Sequence, residues 1–128
     1  MTKSELRIGN IIQGQSDLPE TVIELKENGG IKTYRGNVKH LHLSSIAKYC
    51  SPIPITEKWL LDFGFVQFQE EMRLQLREYL FLVFDTCQFG VFVESTDSED
   101  KSSILFDHIK YVHQIQNLYF SLTGKELN

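Results

Sequence analysis

The chain has 128 residues and a mass of 14.9 kDa, room for one ordinary domain or two very small ones. Its residues are 41% hydrophobic, 23% charged and 12% aromatic, which excludes disordered and fibrous classes, and the longest apolar run, Tyr79–Phe84, is far too short to cross a bilayer. A net charge of −4 and a pI near 5.5 argue against strong attraction to phosphate.

The charge is unevenly spread. Residues 1–50 carry seven Lys/Arg and five Asp/Glu, a net +2, whereas residues 51–128 carry six and twelve, a net −6. All nine phenylalanines lie at or after Phe63, so a bulky aromatic core belongs to the later part and the first fifty residues must close around Ile, Val and Leu. The boundary is expected at Ser51-Pro52-Ile53-Pro54, where two prolines enforce an extended link. Fifty residues alone are marginal, so the expectation is two subdomains, 1–51 and 52–128, in one body.

Apolar residues alternate loosely around Leu6, Ile8 and Ile11, predicting a strand over 5–13 with a bend at Gly9-Asn10. Val22, Ile23 and Leu25 predict a second strand, Asn28-Gly29-Gly30 a hairpin turn, and Ile31–Arg35 an antiparallel return. Residues 38–43 alternate again, with Val38, His40 and His42 on one face and Lys39, Leu41 and Leu43 on the other. Four short strands in this span point to a small barrel-like sheet, with an SH3-like barrel as the expected form.

The next segment is a two-turn helix held at both ends. Thr56 is the N-cap, Ile55 and Leu60 have the hydrophobic-staple spacing, and Gly64 followed by Phe65 suits a left-handed C-cap. An antiparallel meander then follows. Residues 72–77 alternate strictly, 79–84 read as a central strand covered on both faces, and 89–93 as a third strand. An acidic loop over 94–103 leads to a short strand at Ile104–Phe106, after which Asp107 caps a final helix at about 108–123. On that helix Lys110, His113, Gln114, Asn117 and Ser121 form one polar stripe, expected to face solvent, and the opposite apolar side is expected to lie across the meander. The fold class is therefore α+β.

Three ordered blocks carry a resemblance: Leu6-Arg-Ile-Gly-Asn10, residues 52–65 (PIPITEKWLLDFGF), and residues 109–127 (IKYVHQIQNLYFSLTGKEL). Together they resemble a family of small uncharacterised proteins of Bacteroidetes-group genomes, often found in prophage-like or mobile regions. The resemblance spans about a third of the chain and implies a bacterial or phage-encoded accessory protein, with no activity, ligand or site attached.

Candidate chemistry is sparse. His40 and His42 share a strand face but lack an evident third and fourth ligand, so no metal is expected. His113 with Gln114 and Asn117 is a polar cluster that suits a binding face or an acid/base site, but equally an ordinary solvated helix face. Neither Cys50 nor Cys87 lies in a nucleophile signature, and two cysteines fit a reducing cytoplasm; Gly29-Gly30 lacks the helix that a phosphate loop needs. No enzymatic activity and no cofactor are expected. The leading expectation is a protein–protein interaction module, with an unknown partner or self-association. Its candidate surface comprises Arg35, Lys39, His40, His42, Tyr49, His113 and Asn117. The rival is a nucleic-acid-binding module using the basic face of residues 1–50.

Overall fold

Arg7–Asn10 is a β-turn, and it decides how the chain begins. The Asn10 N–H donates to Arg7 O (3.0 Å), the Arg7 N–H to Asn10 Oδ1 (2.7 Å), and Gly9 sits at φ 100°. Only glycine adopts that conformation without strain, so the bend expected at Gly9 is present. The predicted strand over 5–13 shrinks for the same reason to β1, Ile11–Gln13. The computed structural model describes residues 5–14, 18–27, 30–35, 38–42, 50–87, 90–96 and 102–128.

The chain divides into two compact units, Met1–Pro54 with Tyr111–Asn117, and Ile55–Lys110 with Leu118–Asn128. In the first, β1 is followed by β2 (Pro19–Leu25), β3 (Ile31–Arg35) and β4 (Val38–His42) in an antiparallel sheet of order β1-β2-β3-β4. The β2–β3 hairpin forms as its alternation and glycines require, and Lys26 N–H donates to Gly30 O (2.9 Å) at its neck. Its turn residues Asn28 and Gly29, like Leu43 beyond β4, lie outside the described residues. No closed barrel is present among the described residues; β1 instead makes a two-hydrogen-bond bridge from Gln13 to Ser51. The core is aliphatic, built from Leu6, Ile12, Val22, Ile31 and Cys50. Glu20 is buried beside it, accepting from Thr33 Oγ1 (2.5 Å), and its carboxylate fills the space that a Cβ on Gly14 would need.

The second unit opens with α1 (Glu57–Asp62), and its ends are built as the sequence predicts. Trp59 N–H donates to Thr56 Oγ1 (3.3 Å). At the other end Gly64 lies at φ 98°, its N–H donates to Leu61 O (3.0 Å), and Phe65 N–H donates to Leu60 O (2.9 Å). Those two bonds are the Schellman pattern, and both Leu60 and Phe65 are buried. A five-stranded antiparallel meander follows: β5 (Val66–Phe68), β6 (Glu71–Arg77), β7 (Leu80–Asp85), β8 (Gly90–Ser95) and β9 (Ser102–Phe106). β5 escaped the sequence because three residues are too short for a period to register. Leu82, Val83 and Phe84 of β7 are buried in succession, as a central strand requires, but one face of the sheet is not covered: Val83 is shielded there by the side chains of its neighbours, and Tyr79 lies in the preceding turn and is exposed.

The last helix, α2, spans Val112–Thr123 and not 108–123. Residues before it stay extended because they pair with the proline link: Ile55 N–H donates to Lys110 O (3.1 Å), Val112 N–H donates to Ile53 O (2.8 Å), and Pro54 bridges Tyr111. Gln114 Oε1 then accepts from the Tyr111 N–H (3.0 Å), a side-chain cap from the third helical position that replaces the expected cap at Asp107. The apolar side of α2 does not serve the meander alone. Tyr111–Asn117 belong to the first unit, and only from Leu118 does the chain belong to the second, where Tyr119, Leu122 and Thr123 line a small pocket with Leu76, Arg77 and Leu80.

Candidate interaction surface

Directly opposed residues of an antiparallel sheet point to the same side, so the strand register lays out both faces of the meander. One side carries the rows Gln67–Met72–Phe84–Val91–Phe106 and Leu74–Leu82–Val93–Ile104. Met72, Leu82, Phe84 and Val91 are buried there, so this is the core side. The other carries Val66–Arg73–Val83–Phe92–Leu105, a complete row across all five strands, flanked by Phe68–Glu71–Asp85–Gly90 and Gln75–Phe81–Glu94–Ser103.

That outer side departs from the usual pattern of an antiparallel sheet, apolar inside and polar outside. Val66, Phe68 and Leu105 are 67%, 59% and 53% exposed, and Phe81 and Phe92 are half-buried among them. One cation sits in their midst. Arg73 Nη1 lies 2.7 Å from Glu71 Oε2 and 3.1 Å from Glu94 Oε2, and its guanidinium carbon stands 4.9 Å from the centre of the Phe81 ring. The side chain therefore reaches from β6 across the ring on β7 to the carboxylate on β8. Burial works against its charge, but the two carboxylates outweigh that and hold the guanidinium above its ordinary pKa. Beside it lies a shallow groove of about 360 Å³ lined by Val66, Phe68, Arg73, Gln75 and Phe81. Aromatic side chains and arginine around a desolvated centre are the enriched composition of protein interfaces.

None of these residues stood out in the sequence. The alternation of 72–77 assigned Arg73 and Gln75 to a polar side, but nothing local revealed that β5, β7, β8 and β9 would bring Val66, Phe68, Phe81, Phe92 and Leu105 to the same side. Of the seven residues expected to form the surface, only His113 and Asn117 have described side chains. Tyr49, and the side chains of Arg35, Lys39, His40 and His42, lie outside what the structure describes; only the backbone pairing of Tyr34 with Lys39, Thr33 with His40 and Ile31 with His42 is given.

His113 and Asn117 do not share a solvated face. His113 is 2% exposed, its ring stacks on Tyr111 (6.1 Å between centroids), and neither imidazole nitrogen has a hydrogen-bond partner. Burial lowers its pKa, with the nearby Glu5 carboxylate opposing only in part. Asn117 is spent on structure: its Oδ1 accepts from Asn10 Nδ2 (2.8 Å) and its Nδ2 donates to Glu5 O (3.0 Å). The fully buried Gln116, which no periodicity marked, completes the clamp by accepting from Ile11 N–H (2.8 Å) and donating to Gly9 O (3.3 Å). The expected solvent stripe fails at Asn117 because Glu5, Gly9, Asn10 and Ile11 present polar groups that Asn117 and the neighbouring Gln116 satisfy, whereas Lys110 and Ser121 are exposed.

The cysteines are equally far from reactive settings. Burial, and secondarily the charge of Glu20, pushes the Cys50 thiol up to about 11, and the pKa of the exposed Cys87 is raised chiefly by its hydrogen bond with Glu70. Among the described residues no group of three His, Cys, Asp or Glu side chains is placed to hold a metal ion, and no helix is long and apolar enough to cross a membrane. No family model, curated protein or solved structure matches the chain.

Proposed function

We propose that the protein is a non-enzymatic, cytoplasmic accessory module that works by protein–protein contact, and that the outer side of the meander is its contact surface. The supporting observation is the apolar side on which Val66, Phe68 and Leu105 are exposed and Arg73 lies among them on the second strand. A monomer that kept this side in water would expose Val66, Phe68 and Leu105 without gain, whereas a partner covering them removes apolar area worth about 25 cal/mol per Å². Arg73 is paired with both Glu71 and Glu94, so covering it buries no unpaired cation, and the trio's net −1 favours a partner that brings a positive group to it. The resemblance to small proteins of mobile bacterial regions agrees with an accessory role. The SH3-like form of the first unit is part of the same reading; its support is the four-stranded meander together with the Gln13–Ser51 bridge, which lays the chain after β4 along β1 at the opposite edge.

The test is capture of partners from host lysate, nuclease-treated, by the wild-type chain and by the double variant Val66→Ser, Phe68→Ser. A protein held by the wild type and released by the double variant is the expected result. Equal capture by both would remove the surface from consideration, and capture lost on nuclease treatment would move the basic residues of the first unit, Arg35 and Lys39, to first place as a nucleic-acid-binding face.

A further inference from the structure

The pairing of β6 with β7 loses step close to the turn that joins them. Arg73 and Gln75 stand on the outer side of the meander, and plain alternation would send Arg77 there as well. The register shifts between Gln75 and Arg77, so that Leu76 and Arg77 together oppose Leu80, two residues against one. Leu80 alternates with Leu82 and Phe84 on the core side, and the bulge re-aims the arginine to that side, where α2 lies. Leu76 and Arg77 accordingly both line the pocket of about 170 Å³ to which the helix contributes Tyr119 and Leu122.

A second cation reaches this pocket from the end of α2. The helix stops at Thr123, Gly124 lies at φ 73°, and the Gly124 N–H donates to Phe120 O (2.7 Å). The Lys125 N–H then donates to Thr123 Oγ1 (3.1 Å), which ties the chain back to the helix end and sets Lys125 on the pocket wall. Neither Arg77 nor Lys125 has a carboxylate partner among the described residues, and no Asp or Glu lines the pocket. The carbonyls that end a helix supply only about half a negative charge, so the two cations leave the pocket positive within a half-chain of net charge −6.

We propose that this pocket binds a small organic monocarboxylate with a compact apolar body. The carboxylate lies between Arg77 and Lys125, where the guanidinium can grip both of its oxygens, and the body lies against Leu76, Leu80 and Leu122. The size fits, because an apolar cavity of about 150 Å³ holds a benzene ring. A second carboxylate is disfavoured. The adjoining depression of about 420 Å³ shares Arg77 and Leu80 with the pocket but adds Glu78, which repels it. The site lies on the side of the meander opposite Arg73, so it does not depend on the partner surface proposed above.

Titration with sodium benzoate at fixed ionic strength, followed by backbone amide chemical shifts, tests this. Saturable shifts are expected at residues 76–80 and 119–125, with a dissociation constant of about 1 mM or below. Benzyl alcohol carries the ring without the charge, and inorganic phosphate the charge without the ring; each should bind at least about tenfold more weakly. Arg77→Gln and Lys125→Gln replace exposed side chains and should each weaken benzoate at least about fivefold while the remaining shifts stay in place. No saturation below about 20 mM, shifts centred elsewhere, phosphate bound as tightly as benzoate, or either variant binding benzoate like the wild type overturns the proposal. Val66→Ser, Phe68→Ser should leave benzoate binding unchanged, so failure of this pocket and failure of the partner surface are read separately.

Discussion

At the scale of single residues, two buried polar side chains in the first unit have opposite roles. Gln116 satisfies backbone groups in and just after the first turn, so Gln116→Ala leaves the part-buried Ile11 N–H and Gly9 C=O without it. That should cost about 1–3 kcal/mol, measured by urea denaturation. His113 satisfies nothing and is held neutral by burial, its pKa lowered from 6.5. The folded state therefore binds the proton more weakly than the unfolded one. Stability is fully present above about pH 6.5 and declines as the pH falls toward the lowered folded value. Denaturation midpoints from about pH 8 to about pH 5 should fall in the wild type and fall less in His113→Leu; parallel curves would show that other groups carry the acid sensitivity. Neither role was legible locally. Amides at helical spacing look the same whether water or another segment of the chain supplies their partners, and a histidine looks the same whether it is solvated or buried.

At the scale of elements, the ends of α1 were legible because capping is local chemistry. Thr56, Gly64 and Phe65 are all within one turn of the groups they serve. Gly64 at φ 98° and Gly124 at φ 73° provide a matched comparison, since a Cβ meets only Leu74 Cδ1 at 3.9 Å in the first and nothing within 4 Å in the second. With space available at both, Gly64→Ala and Gly124→Ala should each cost about 1–2 kcal/mol from the backbone conformation alone. Thermal melts that show no loss at either position would contradict a left-handed cap. The start of α2 was not legible. Asp107 has the right chemistry for a cap, but Asp107 and His108 form a turn and Lys110–Val112 are drawn into extended pairing with Ile53–Ile55, more than fifty positions earlier in the chain.

At the scale of the whole molecule, charge separates the two functional readings. With a net charge of −4, and with Arg73 of the meander already paired to Glu71 and Glu94, the field of the whole chain opposes approach of a polyanion. Fluorescence anisotropy with labelled single- and double-stranded oligonucleotides at about 150 mM salt should show no saturable binding below about 100 µM, and Arg35→Glu, Lys39→Glu should change nothing. Saturable binding that weakens with salt and with that double variant would favour the nucleic-acid reading instead.

The sequence by itself determined what near neighbours can enforce: the α+β class, the β2–β3 hairpin, the clamped helix at 57–62, the alternating strands, and an aliphatic first core set apart from an aromatic second part. Periodicity and capping act over a few residues, so they survive without a fold. Only the tertiary structure decided which side chains meet. Strand register placed Val66, Phe68, Phe81, Phe92 and Leu105 around Arg73, the bridge at Pro54 shortened the last helix, and the segment around the turn at Arg7–Asn10 drew Gln116 and Asn117 into a clamp. These outcomes depend on partners on other elements, from five residues away (Phe68 and Arg73) to 112 (Glu5 and Asn117), and pairing between elements leaves no mark in a local pattern.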